Sequence, residues 1–182
     1  MNVSTTAIDG VLLIEPKVFG DARGCFFESY NRARFQAAGI AADFIQDNES
    51  RSRYGVLRGL HYQRPPYAQA KLVRVIAGRA LDIVVDLRRS SPTFSQHVAV
   101  ELSGENKRQL FVPRGMAHGF AVLSDEVIFA YKCDNYYAPD YERTIRFDDP
   151  ALGIDWLIPA AEALLSPKDL KGVPFVAAEL FD

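Results

Sequence analysis

Ala70-Lys71-Leu72-Val73-Arg74-Val75-Ile76-Ala77-Gly78-Arg79-Ala80-Leu81-Asp82-Ile83-Val84-Val85-Asp86-Leu87 is the stretch that decides the fold. Two runs rich in β-branched residues flank a glycine turn, and each is of strand length rather than helix length. The pattern reads as a hairpin, Ala70 to Ala77 and Ala80 to Leu87, turning at Gly78-Arg79. On the first run Lys71, Val73 and Val75 share a face. A lysine in line with valines is either a snorkelling strand end or a cation aimed into a pocket. On the second run Asp82 sits across from Leu81, Ile83 and Val85.

The rest of the chain repeats the pattern. Val11 to Lys17, Cys25 to Tyr30, Phe44 to Ser50, Gly55 to Gln63, Phe94 to Leu102, Gln109 to Val112, Ala117 to Leu123 and Val127 to Cys133 all read as short strands. Breaks of Gly, Pro or Asp separate them. Asn31 can cap a short helix, Arg32 to Ala38, which Gly39 closes. Toward the end, Pro150 to Trp156 reads as a turn plus a short strand. Ser166-Pro167-Lys168-Asp169 opens a short terminal helix, with a capping serine and a proline at the first helical position. Many short strands with little helix predict an all-β sandwich or barrel. Gln46, Asn48 and Ser50 fall on one face of their strand; such a polar row is ordinarily a solvated face, and the alternative is a row of groups facing a ligand.

With 182 residues, 48% of them hydrophobic and 24% charged, the composition is that of one globular domain, residues 1–182. A net charge of -2 and two cysteines, Cys25 and Cys133, exclude a basic nucleic-acid surface and a disulfide framework. No membrane-spanning run and no signal-peptide pattern is present in the sequence, and a cytoplasmic location is expected.

Three histidines are present: His61, His97 and His118. Any lone histidine is more often a satisfied core or turn residue than a catalyst, so the surrounding residues must decide. His118 lies in Pro113-Arg114-Gly115-Met116-Ala117-His118, a spacing that resembles the second motif of the cupin jelly rolls. Many cupins hold a metal with a His-x-His pair, a Glu and this later His. Here the second place of the pair is Gln63, and two histidines with an amide are poor provision for a transition metal, so no metal and no cofactor is expected. The remaining kit is His61 as base, Tyr131 as acid, Lys71 and Arg58 as cations, and the carboxylates Glu28, Asp82, Glu142 and Asp169. It suits removal of a proton beside a carbonyl, stabilisation of the enolate oxygen, and return of a proton on the other face. Strict alternation places Arg58 and His61 on opposite faces of their strand. Both can touch a ligand only if Gly59 marks a bulge, or if Arg58 serves a neighbouring chain.

Several segments, taken in order, resemble one family. They are Asp21-Ala22-Arg23-Gly24-Cys25-Phe26-Phe27-Glu28, Gln46-Asp47-Asn48-Glu49-Ser50, Arg58-Gly59-Leu60-His61-Tyr62-Gln63, Lys71-Leu72-Val73, Val84 to Arg88 with Ser91-Pro92, Ala117-His118-Gly119-Phe120, Tyr131-Lys132-Cys133, Asp148-Asp149-Pro150 and Ser166-Pro167-Lys168-Asp169. The family is dTDP-4-dehydrorhamnose 3,5-epimerase, the metal-independent cupin epimerases of deoxysugar nucleotide synthesis. The resemblance implies a cupin-type jelly-roll β-sandwich with a few short peripheral helices, in a homodimer that shares N-terminal strands. It implies dTDP-4-dehydro-6-deoxy-D-glucose as substrate and dTDP-4-dehydro-L-rhamnose as product. His61 would be the base, Asp169 its orienting carboxylate, Tyr131 the acid and Lys71 the group near the carbonyl oxygen. Arg23, Phe26, Glu28, Gln46, Asn48, Arg58, His118, Glu142 and Lys168 would contact the substrate, and Tyr137 would stack on thymine. Other readings are an epimerase acting at one carbon of a related dTDP-4-keto-6-deoxyhexose, a non-catalytic sugar-nucleotide-binding module, and a metal-dependent cupin.

Overall fold

A computed structural model describes residues Met1 to Asp182. The strands are β1 (Asn2–Thr5), β2 (Leu12–Glu15), β3 (Phe19–Asp21), β4 (Gly24–Phe26), β5 (Gln46–Arg53), β6 (Leu57–Gln63), β7 (Lys71–Ala77), β8 (Arg79–Asp86), β9 (His97–Ser103), β10 (Gln109–Val112), β11 (Met116–Val122), β12 (Glu126–Cys133) and β13 (Glu142–Thr144). One sheet runs in the order β1-β2-β10-β7-β12-β5 and the other β13-β6-β11-β8-β9, while β3 and β4 form a separate ribbon. The fold is the all-β sandwich expected. The helix also forms: α1 (Arg32–Ala37) follows Asn31, whose side chain accepts the Arg34 amide. No helix is long and apolar enough to cross a membrane.

The opening stretch does form two strands, but not a hairpin. β7 and β8 belong to different sheets, so the glycine turn is an arch that carries the chain across the core. Gly78 has φ +81, and a Cβ there would come within 1.9 Å of the Glu126 carbonyl oxygen. The tight turn therefore needs glycine, and a glycine turn looks the same in sequence whether it closes a hairpin or an arch. β8 is covered on both faces, and β7 on its inner face and over Leu72 on its outer one. Val73, Val75, Ala80 and Val84 face the space between the sheets with Leu102, Leu110, Phe120 and Phe129. Leu81, Ile83 and Val85 face the other way and are covered by Ile145, Leu152, Trp156 and Ala178 of the C-terminal segment. On the outside of the first sheet, Phe35 of α1 and Ile40 pack on Ile14, Leu72 and Phe111.

Other local expectations shift. The strand read over Cys25 to Tyr30 ends at Phe26, and the one read over Phe44 to Ser50 runs instead from Gln46 to Arg53. The one begun at Phe94 starts at His97. Pro150 to Trp156 contains no strand; its apolar residues pack on the second sheet without pairing. The terminal helix is a single 3₁₀ turn, Asp169–Lys171. Its start is nevertheless capped reciprocally: Ser166 Oγ accepts from the Asp169 amide, and the Asp169 carboxylate accepts from the Ser166 amide.

Candidate active site

The site begins with a defect in β6. His118 of β11 lies opposite His61, but Phe120 lies opposite Arg58, so two steps on β11 face three on β6. The extra residue is a bulge at Gly59-Leu60. Gly59 has φ +140, and a Cβ there would stand 2.6 Å from the Gly119 Cα, so no other residue fits. The bulge brings Arg58 and His61 onto the same cavity, which is the first of the two arrangements their spacing allowed. It also frees the Gly59 amide to donate to Asp169 Oδ1 at 3.2 Å.

His61 Nε2 meets the same Asp169 oxygen at 2.7 Å. The second carboxylate oxygen accepts from the amide and the hydroxyl of Ser166. Burial would raise the pKa of Asp169, but the hydrogen bonds from His61, Ser166 and Gly59 outweigh it and hold the pKa at about 2. Asp169 is thus an anion that fixes the His61 proton on Nε2 and leaves Nδ1 free as a lone pair. Burial also pushes the His61 pKa below 6.5, with the charges of Lys168 and Lys71 adding to it against the pull of Asp169. A neutral imidazole at neutral pH is what a base requires.

A cavity of about 440 Å³ opens between the two sheets in front of His61. Across it, on β12 of the other sheet, stands Tyr131, whose hydroxyl makes no hydrogen bond within the chain. Burial raises its pKa above 10, so it is a protonated phenol. Lys71 reaches in from β7, its Nζ 5.8 Å from the centre of the Tyr131 ring. No carboxylate pairs with it, and burial lowers its pKa below 10.5. The lysine in line with valines therefore points into a pocket rather than snorkelling to solvent. The polar row resolves the same way, because Gln46, Asn48 and Ser50 line the cavity rather than the solvent face. Arg58 is steadied by Nε and Nη2 on Ser52 Oγ, at 3.3 and 3.1 Å. At the mouth, Tyr137 donates to Glu142 at 3.0 Å, and Lys168 donates to the other oxygen of that carboxylate at 2.8 Å. His118 lies beside His61, its Nε2 2.9 Å from Asp82 Oδ2.

The structure thus brings together His61, Asp169, Tyr131, Lys71, Gln46, Asn48, Arg58, His118, Tyr137, Glu142 and Lys168. It does not bring Arg23, Phe26 or Glu28. Arg23 sits on the tip of the β3–β4 ribbon, paired with Asp21 and 90% exposed. Phe26 is 71% exposed, and Glu28 is tied to Arg34 and Asn31 near α1. Local pairing and distance from the sandwich keep all three out of this chain's own cavity. Sequence reasoning missed Ser166, Ser52 and the pairing of Asp82 with His118. Only the capping pattern of Ser166 gave a readable signal. Gln63, at the place of a metal ligand in other cupins, has both ends of its amide engaged. Its nitrogen donates to the carbonyls of Tyr67 and Tyr136, and its oxygen accepts the Ala138 amide. It straps the rim of the cavity. No three His, Cys, Asp or Glu side chains converge as a metal site would need.

A double-sheet jelly roll with an imidazole, a phenol and a lysine amine facing one internal cavity defines a class: cupin-like sandwiches whose polar cavity suits acid–base chemistry on a small ligand. The family is narrower. Residues 5–176 match the dTDP-4-dehydrorhamnose 3,5-epimerase family model, and the chain belongs to that family. It is 54% identical to the dTDP-4-dehydrorhamnose 3,5-epimerase of Shigella flexneri over 182 residues, covering 100% of this chain and 99% of that one. It is similar to the structure of dTDP-6-deoxy-D-glucose-3,5-epimerase from Legionella pneumophila Philadelphia 1 in complex with dTDP-4-keto-L-rhamnose, with 50% identity and a TM-score of 0.94 over 98% of this chain and 94% of that one. A 3'-monoepimerase from Streptomyces bikiniensis in complex with dTDP-quinovose shares 33% identity and a TM-score of 0.87, over 94% and 86% of the two chains.

Proposed function

We propose that the chain is an isomerase, a dTDP-4-dehydrorhamnose 3,5-epimerase that converts dTDP-4-dehydro-6-deoxy-D-glucose to dTDP-4-dehydro-L-rhamnose. The observation that carries the chemistry is a neutral imidazole and a free phenol on opposite walls of one cavity, with Lys71, which no carboxylate pairs, lining the same space beside the phenol. A C–H beside a ketone becomes removable when the developing enolate oxygen meets a cation or a hydrogen-bond donor in a water-poor site. His61 Nδ1 takes that proton, Asp169 stabilises the imidazolium so formed, and Lys71 faces the enolate oxygen. Tyr131 returns a proton from the other wall, so the carbon inverts. The ketone activates both of its neighbouring carbons, and one base and one acid serve each in turn once His61 has given its proton to solvent and Tyr131 has taken one back from it. Arg58, Gln46 and Asn48 suit the diphosphate and sugar oxygens, and Tyr137 offers a ring face to the base.

Identities of 41% to 54% to curated 3,5-epimerases, against 33% to the monoepimerase, favour inversion at two carbons. The chain works as one domain in a homodimer. The exposed apolar side chains of Val18, Phe19 and Phe26 support this reading, in which the ribbon carries Arg23 and Phe26, and the turn after it Glu28, toward the cavity of the second copy. The test is incubation with dTDP-4-dehydro-6-deoxyglucose in heavy water, without added metal, followed by NMR. Deuterium at both carbons flanking the carbonyl, in an L-rhamno product, supports the proposal. Deuterium at one carbon makes the protein a monoepimerase, and binding without any washout makes it a non-catalytic module.

A further inference from the structure

The cavity holds two histidines in register opposite each other, and each is backed by a carboxyl group on Nε2. The two carboxyl groups are not equivalent. Asp169 receives four donors, two on each oxygen. Asp82, on β8 in the sandwich interior, is wholly buried. It meets only His118, at 2.9 Å through Oδ2, and its Oδ1 is buried with no partner at all. A carboxylate anion with one oxygen stripped of water and given no donor is strongly disfavoured. A neutral carboxyl needs less: an acceptor for its O–H, which Nε2 of His118 supplies, and an unpaired carbonyl oxygen, which interiors tolerate more readily. The groups facing Asp82 are His118 from β11 and the charge of Lys71 from β7. Burial raises the pKa of Asp82 against the pull of both. His118 Nδ1 has no partner in the chain, and its ring lines the cavity.

We propose that Asp82 is a positioning residue that donates its acid proton to His118 Nε2, fixes the ring proton on Nδ1, and so makes His118 a hydrogen-bond donor to a substrate oxygen in the cavity. The two dyads share one wiring and have opposite senses. The ionised Asp169 keeps the Nδ1 of His61 bare, as a base. The neutral Asp82 keeps the Nδ1 of His118 protonated, as a donor. Environments that drive two carboxyl groups apart assign the roles of the groups they hold. That the oxygen met by His118 is the sugar's carbonyl oxygen or a neighbouring hydroxyl rests on the epimerase reading above.

The experiment is a long-range ¹H–¹⁵N spectrum of the ¹⁵N-labelled full chain without ligand, at neutral pH. With three histidines in the sequence, assignment needs only His97→Gln and one further variant. The expected result is His118 protonated at Nδ1 and His61 at Nε2. Asp82→Asn, whose amide N–H can also donate to Nε2, retains the His118 pattern. Asp82→Ala loses roughly 10²-fold in kcat/KM, the scale for one misdirected donor to an oxyanion, and Asp82→Asn recovers at least about tenfold of that loss. A wild-type His118 protonated at Nε2, or Asp82→Asn no better than Asp82→Ala, overturns the proposal. The wild-type spectrum decides even if Asp82→Ala does not fold. It needs no substrate, so it stands or falls separately from deuterium washout, which tests the epimerase reading.

Discussion

Asp169→Asn is the substitution that tests the base most sharply. The carboxylate has two acceptor sites. One serves the Gly59 amide and His61 Nε2, and the other serves the amide and hydroxyl of Ser166. An amide offers one acceptor and one donor end. With its NH₂ toward His61, the ring proton moves to Nδ1 and the lone pair that faces the cavity is lost. With its NH₂ toward Ser166, two N–H groups confront each other and the imidazolium still lacks a counter-charge. The pKa of Asp169 falls from 3.8 to about 2 in the fold, a preference for the ionised form of about 2.5 kcal/mol at 1.36 kcal/mol per unit. Adding the cost of a misplaced ring proton gives about 4–5.5 kcal/mol, or roughly 10³–10⁴-fold in kcat. The assay is turnover together with deuterium washout under single-enzyme conditions, with the Kd for dTDP measured alongside. Washout within fivefold of wild type, in a variant that still binds dTDP, would refute the reasoning that Asp169 holds and charges the base.

Tyr131→Phe should lose roughly 10²–10⁴-fold in product formation while washout of the substrate's own C–H proton persists, read by NMR in heavy water. The acid limb of kcat/KM should lie below pH 6.5, because His61 must be neutral and its pKa is lowered by burial; a midpoint above 6.5 contradicts this. Stability should fall as pH falls, since both members of the dyad bind protons less well folded than unfolded. The loss from His61 begins near its unfolded value of 6.5, and that from Asp169 falls between about 4 and 2, as urea midpoints would show. Gly59→Ala should cost about 2–4 kcal/mol in urea unfolding, because its Cβ meets backbone at 2.6 Å in a positive-φ conformation.

Much of the fold and most of the site could be read in the sequence, and what escaped did so for physical reasons. Strand runs and the capped helix are local properties, so Arg32–Ala37 and the central strands appear where pattern places them, while the short strands β1, β3 and β13 carry too little pattern to be read. Which sheet a strand joins is not local: Gly78 permits a hairpin or an arch equally, and β8 is buried on both faces because the C-terminal segment covers it. Alternation failed at Gly59 because a bulge breaks the period of two. His61, Tyr131, Lys71 and Asp169 were legible as chemistry. Ser52 and the carboxyl behind His118 were not, since they act through contacts made across 6 and 36 positions that no motif announces, and Ser166 was legible only as a helix cap. Arg23, Phe26 and Glu28 lie away from this chain's own cavity, on a ribbon and helix start whose distance from the site no local pattern reveals.

The measurement that bears most directly on the account is deuterium incorporation by His61→Ala, with dTDP-4-dehydro-6-deoxyglucose in heavy water beside the wild type. One imidazole serving both carbons predicts exchange at C3 and C5 in the wild type and at neither in the variant. Exchange surviving at either carbon in folded His61→Ala would place the base elsewhere and contradict the account.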